Sequence, residues 1–329
     1  MLRKLLMMIL ALAVFPASEG SGFAQERLRL AWAGVSPTNS PIWVIQEKKL
    51  LQKQGVEPEI IAISASPTVL QALLAGEIDA ASISVTTLTS SRLAGADTVM
   101  ILGVVPTFVD HIITTSGITG VEQLRGKTGG VNRLGSTSDL GLRLALRKLG
   151  IDPEKDARII PVGGNPERFA ALSKGLVQFT IMPEPFLREA EKLGFKNLFN
   201  ISSLKIPFWW NGILTRESIV KVKRPLLTKL ARAMVEAIHF IKTEKEAAKV
   251  IIGKNLHISD PEGLERAYKD YSSVFPEVPY PNPDGVKTML DDLAPRNPKA
   301  ATADPKTFVD MSFVKELESS GFISQLYKK

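Results

Sequence analysis

Two stretches of the chain repeat one another at a constant separation, and this limits the possible architecture more than any other feature. Ile60, Ile61, Ile63, Pro67, Ala72, Leu73 and Gly76 recur as Ile159, Ile160, Val162, Pro166, Ala171, Leu172 and Gly175, each pair 99 positions apart. Each copy reads as a strand, a small polar loop, a Ser-Pro or Asn-Pro helix start, a short helix, a glycine and a short strand. The unit occurs only twice, so it predicts two similar α/β lobes and not a solenoid.

The surrounding sequence extends the pattern. Leu28 to Ala33 reads as a strand, and Ser40-Pro41 opens a helix running to about Gln54, with Gly55 suited to its end. Glu59 to Ile63, Ile78 to Ile83 and Val99 to Val104 continue the strands, giving a mainly parallel, open α/β sheet. Asp110 to Thr115 and Phe208 to Thr215 are the candidates for two strands crossing between lobes. Residues 25–109 and 216–329 are then expected to form a first, discontinuous lobe with a helical tail. Residues 110–207 form the second lobe, and 208–215 is the crossover or hinge strand. Tail helices are expected near Pro225 to Thr243, Glu244 to Gly253, Pro261 to Tyr271 and Asp284 to Leu293.

The start reads as a secretory signal over 1–24: Arg3 and Lys4, the apolar run Leu5 to Val14, then a small-residue stretch ending Gly22-Phe23-Ala24. That run is too short to span a bilayer, which needs roughly 20 apolar residues, and no other stretch is long enough. With no cysteine in the chain, disulfides, thiolate metal sites, a Cys nucleophile and a lipid attachment point are all excluded. The protein is therefore expected free in the periplasm, as a monomer. The roughly 305 residues left after cleavage suit two domains. The net charge of +7 falls to +6 without Arg3, Lys4 and Glu19. It is spread along the chain with no basic block, so nucleic acid is not an expected partner.

The segments QALLAGEID (Gln71 to Asp79) and LRGKTGGV (Leu124 to Val131), with the exported start and the Ser/Thr/Asn/Pro loop after the first strand, carry a family resemblance. The chain resembles periplasmic substrate-binding proteins of ABC importers, in the group handling nitrate, taurine, aliphatic sulfonates and thiamine precursors. The resemblance covers the mature chain. It implies a type II periplasmic binding protein fold, α/β with two lobes joined by two crossover strands, and a small-molecule ligand closed between them. It also implies an ABC permease in the inner membrane, with its ATPase, as partner.

Open parallel sheets bind ligands beyond the carboxyl ends of their strands. That rule selects Ser36, Thr38, Asn39 and Ser40 in the first loop, then Ser64, Ala65 and Ser66, and Ser84. In the second copy it selects Arg133, Ser136, Thr137, Gly164, Asn165 and Glu184. Most precede a helix, whose free N–H groups and positive dipole end suit an oxyanion. Capping alone accounts for Ser40, Ser66 and Asn165, and a solvated loop residue for Arg133. Glu184 suits a helix start electrostatically, or meets an ammonium or hydroxyl on the ligand. Trp209 and Trp210 face opposite sides of an extended run, so one packs in the core and the other covers the ligand.

Two other readings come from different classes. Relatives of this fold include enzymes of thiamine and menaquinone biosynthesis, but here His111, His239 and His257 are scattered. No HExxH, P-loop or GxSxG motif occurs, so no catalytic residue, metal or cofactor is expected. A ligand-sensing protein with a separate regulatory partner is the other alternative.

Overall fold

The computed structural model describes residues 26–33, 36–63, 66–184 and 186–328; the expected signal segment lies outside them. The first sheet contains β1 (Glu26–Ala33), β2 (Val56–Ile63), β3 (Ala80–Ile83), β4 (Thr98–Val105) and, from much later in the chain, β10 (Asn211–Arg216). The second contains β5 (His111–Thr114), β6 (Thr128–Val131), β7 (Arg158–Pro161), β8 (Phe179–Met182) and β9 (Lys196–Asn200). Their orders are β2-β1-β3-β10-β4 and β7-β6-β8-β5-β9. In each sheet the fourth strand runs antiparallel to both neighbours. The two repeats, β2–α2–β3 and β7–α5–β8, thus hold equivalent places, with α2 (Ser66–Ala75) and α5 (Asn165–Ser173) between their strands.

The helices follow the strands as the sequence predicts, with informative differences at their ends. Helix α1 (Ser40–Lys48) stops short of Gln54 because Lys49 takes a left-handed φ of 53°. The reversal turns Leu50 and Leu51 into the core. α3 (Val85–Leu93) and α4 (Thr137–Lys148) start on Ser84 and Ser136, and α6 (Phe186–Lys192) follows β8. In the tail, α7 (Glu217–Thr243) begins earlier than Pro225, but non-helical Lys223 interrupts it just before that proline. α8 (Lys245–Leu256), α9 (Pro261–Val274) and α10 (Pro283–Leu293) complete the tail as far as the cleft requires.

The run expected to cross between lobes, 208–215, is divided. Asn211 onward is paired inside the first sheet, so the return passage lies before it, and the outward passage is 106–110. The two passages hold each other. Phe208 N–H donates to the Pro106 carbonyl at 3.2 Å and Trp210 N–H to Val105 at 2.9 Å. Phe108 and Phe208 stack with centroids 4.1 Å apart, an arrangement worth about 1 kcal/mol beyond the area it buries. One apolar cluster continues through this junction, joining Ala31 and Ile83 of the first sheet to Val131 and Ile181 of the second. Trp209 is buried there between two glycines: a Cβ on Gly103 would lie 2.3 Å from its ring, and one on Gly285 2.6 Å.

Asp79, from the QALLAGEID segment, holds the first sheet to the tail. Its carboxylate accepts from Arg29 N–H at 2.9 Å, from the Arg29 guanidinium at 3.1 Å and from Lys223 Nζ at 2.8 Å. Burial opposes its ionisation, but these donors outweigh burial and hold the carboxyl below its ordinary value. A depressed acid stabilises the fold above its unfolded pKa, and that contribution disappears as pH falls through the folded value. Asp79→Asn should therefore flatten the acid limb of the thermal-melting profile below about pH 4, read by circular dichroism. An unchanged limb would remove Asp79 from that role.

Candidate functional site

Ser36, Ser66, Ser84, Arg133, Gly164 and Glu184, which follow β1, β2, β3, β6, β7 and β8 in the chain, border one cleft between the sheets. Its inner part is a cavity of about 290 Å³ lined by Ser36, Thr38, Ser66 and Ser84 from the first sheet's turns. Thr137, Asn165 and Glu184 line it from the second, with Trp210 and Asn211 between. An outer part of about 640 Å³ continues past Ser66, Ser84, Thr137, Asn165 and Trp210 to Arg133, Ser136 and Gly164. The repeat thus places two sets of helix starts on the walls of one space, and the second crossing passage supplies an aromatic wall.

Most of the residues selected from the sequence line this space, but some do not. Asn39 and Ser40 are buried behind the wall. Ser40 Oγ donates to the Pro37 carbonyl, and Asn39 Oδ1 accepts from Asn211 Nδ2 at 3.0 Å and Ser82 Oγ at 3.3 Å. Trp209 faces the other way, its indole N–H donating to the Asn282 carbonyl at 2.7 Å, and lines a separate cavity near the tail. Trp210 is the half-buried partner that reaches the cleft, edge-on to Phe108. Ser64 and Ala65 lie outside the described residues.

The expected capping roles shift by one position. Asn39 and Gly164 occupy the N-caps of α1 and α5, so Ser40 and Asn165 are first helical residues. Asn165 Oδ1 instead accepts from the guanidinium of Arg168. Ser84 caps by position without a side-chain bond to the helix, and its hydroxyl meets Thr86 Oγ1 at 2.6 Å. Ser136 does cap, accepting from Asp139 N–H at 3.4 Å.

Several polar residues here were not selected from the sequence. Ser82 and Asn211 form the floor, joined by a 2.8 Å hydrogen bond, and Arg168, Ser90, Thr86, Thr87, Asn132 and Ser138 line the outer part. Polar residues inside apolar strand runs, as in ASIS and WWNGIL, were the available signal.

Charge at the inner end comes from the second sheet and the tail. Glu184 is 5% exposed, and burial pushes its carboxyl above the ordinary value, with Arg266 opposing. Arg266 Nη2 stands 3.2 Å from Glu184 Oε1, yet its Nη1 is bonded to Glu191 at 2.5 Å. Asp110 is fully buried, and burial pushes it up to about 6 against the pull of Arg168 and His111. Among the described residues no group of three His, Asp or Glu side chains is arranged to hold a metal ion.

A model of the NMT1-like family matches residues 22–253, well over half of the sequence. The chain belongs to the NMT1-like family. No curated protein matches it significantly. Among solved structures, this NMT1-like chain is similar to the periplasmic aliphatic sulphonate binding protein SsuA from Escherichia coli. The TM-score is 0.71 at 19% identity, covering 87% of this chain and 92% of that one. A sulfonate-binding SsuA from Methylobacillus flagellatus gives a TM-score of 0.72 at 16% identity, covering 90% and 95%. DszB, in a variant complexed with biphenyl-2-sulfinic acid, gives 0.64 at 16%, covering 90% and 99%. At these identities the likeness is one of fold: the two-lobed periplasmic binding protein architecture. Among the described residues no helix is long and apolar enough to cross a membrane.

Proposed function

We propose that this chain is the extracytoplasmic solute-binding component of an ABC importer, capturing a small organic oxyanion in the cleft and delivering it to an inner-membrane permease. One observation carries the reading: hydroxyl-bearing helix starts from both sheets face one cavity, with Trp210 across it. Helix N-termini and Ser/Thr hydroxyls favour a sulfonate- or carboxylate-type head group, and the indole favours an apolar body. The two SsuA relatives support this ligand class and the periplasmic setting. Contacts drawn from both lobes give a ligand its differential affinity for the closed form, which is what shifts the equilibrium, with 106–110 and 201–210 as the hinge passages.

The reading includes no turnover, and the DszB variant complexed with biphenyl-2-sulfinic acid enters it as a likeness of fold. None of the three histidines lines the cleft, and the chain lacks cysteine.

A thermal-shift screen of the chain from Gln25 against sulfonates, carboxylates and inorganic oxyanions, with product analysis, tests the proposal. Ligand at about 100 times its Kd adds about 2.7 kcal/mol. A shift without conversion supports binding, and conversion of the hit replaces this reading with an enzyme. Trp210→Ala should weaken the hit at least tenfold, about 1.4 kcal/mol, in calorimetry. Unaltered affinity would take Trp210 out of the site.

A further inference from the structure

Behind the crossing passages lies a second cavity, of about 650 Å³. None of its lining residues lines the cleft. Consecutive residues of one extended passage divide the two spaces, Trp210 walling the cleft and Trp209 this cavity. Its walls are the outward passage at Pro106 and Thr107, the return passage, and the segment between α9 and α10.

That last segment, FPEVPYPNP (Phe275 to Pro283), carries four prolines. It is also tied down: the Pro279 carbonyl accepts from Gly103 N–H at 3.0 Å and the Asn282 carbonyl from the Trp209 indole at 2.7 Å. Fixed proline φ angles and these bonds leave the wall little freedom to lose when a ligand arrives. The volume lies within the roughly 300–1,000 Å³ of small-molecule sites.

The lining sets the ligand's chemistry. Tyr280, Val274 and Val278 are half-buried and, with Pro207 and Pro276, present apolar surface to the cavity. The Tyr280 hydroxyl already donates to Glu318 at 2.6 Å, so its ring offers a face and not a donor. The charged side chains on the wall, Lys205 and Asp284, are opposite in sign, which gives no preference for a charged occupant. One polar group is unsatisfied: Thr107 is 8% exposed and its hydroxyl has no hydrogen-bond partner.

We infer that this cavity is a second ligand site, for an uncharged planar aromatic compound with one hydroxyl or amide group. The compound packs on Tyr280, Val278 and Pro207, with its polar group toward Thr107. This goes beyond the solute-binding reading and does not depend on it, since the two spaces share no residue. Occupied, the site would hold both passages and the tail in one arrangement.

The probe is 2-naphthol, titrated calorimetrically, with naphthalene and naphthalene-2-carboxylate beside it. Ser273→Trp and Ser202→Trp fill the cavity from opposite walls, and each should weaken 2-naphthol about tenfold or more. Thr107→Val should erase the preference for 2-naphthol over naphthalene. Any binding of naphthalene-2-carboxylate should survive both tryptophan variants. In the parent, 2-naphthol should slow amide hydrogen exchange across 106–110 and 201–210, a reading that needs no variant. No saturable binding of 2-naphthol, undiminished binding in the tryptophan variants, or protection confined to the cleft turns overturns the site. Loss of the carboxylate in those variants overturns the uncharged class, and a preference surviving Thr107→Val removes Thr107 from it.

Discussion

Asp110→Asn should melt higher than the parent at pH 7, and the difference should close as the pH is lowered to 4. The parent carries an acid of ordinary value 3.8 that burial pushes up to about 6. Between those values the native state holds a proton that the unfolded chain has lost, so stability falls as pH rises. Above pH 6 the full penalty is present, on the order of 3 kcal/mol at about 1.4 kcal/mol per pH unit. Asparagine keeps the shape and removes the charge. Paired melts of the two proteins from pH 4 to 8 isolate this group from other carboxyls, including Asp79, whose contribution runs in the opposite direction. A constant difference across that range would show that Asp110 titrates normally.

Phe108→Ala should be the most damaging single truncation at the junction. Its ring is fully buried, stacks on Phe208, meets the edge of Trp210 and lies where a Cβ on Gly141 would come within 2.8 Å. Truncating such a phenylalanine costs about 3–5 kcal/mol. Urea unfolding measures this directly, and Phe108→Leu should recover more than half of the loss. Ligand affinity should fall as well, because the ring that positions Trp210 is gone. A loss under about 1 kcal/mol would mean that the two passages are held chiefly by their backbone hydrogen bonds.

Much of the architecture was legible in the sequence for a simple reason. The duplicated strand–loop–helix unit fixes which turns lie at equivalent places, and open sheets offer ligands only one edge. That placed Ser36, Ser66, Ser84, Thr137 and Asn165 around one cavity without any knowledge of long-range contacts. What could not be read is what depends on strand neighbours. Asn211 belongs to the floor because β10 inserts between β3 and β4, and nothing local to WWNGIL specifies that insertion. Trp209 and Trp210 were separable as a pair. Which one faces the cleft depends on Gly103 and Gly285 opening space for Trp209 on the far side. Arg266 joined Glu184 only through the packing of α9, across 82 positions of chain.

The antiparallel fourth strand has a consequence for the order in which the protein can be made. All five strands of the second sheet lie within residues 111–200, so it can close as soon as that segment is free to fold. The first sheet is synthesised earlier but lacks β10, and Ser82 waits 129 positions for its bond to Asn211. Until then β3 and β4 each present an unpaired edge, the feature most prone to wrong pairing between chains. The half of the molecule that comes first in the chain is therefore the last to be completed, and the folding chain needs shielding there until residue 216 is in place.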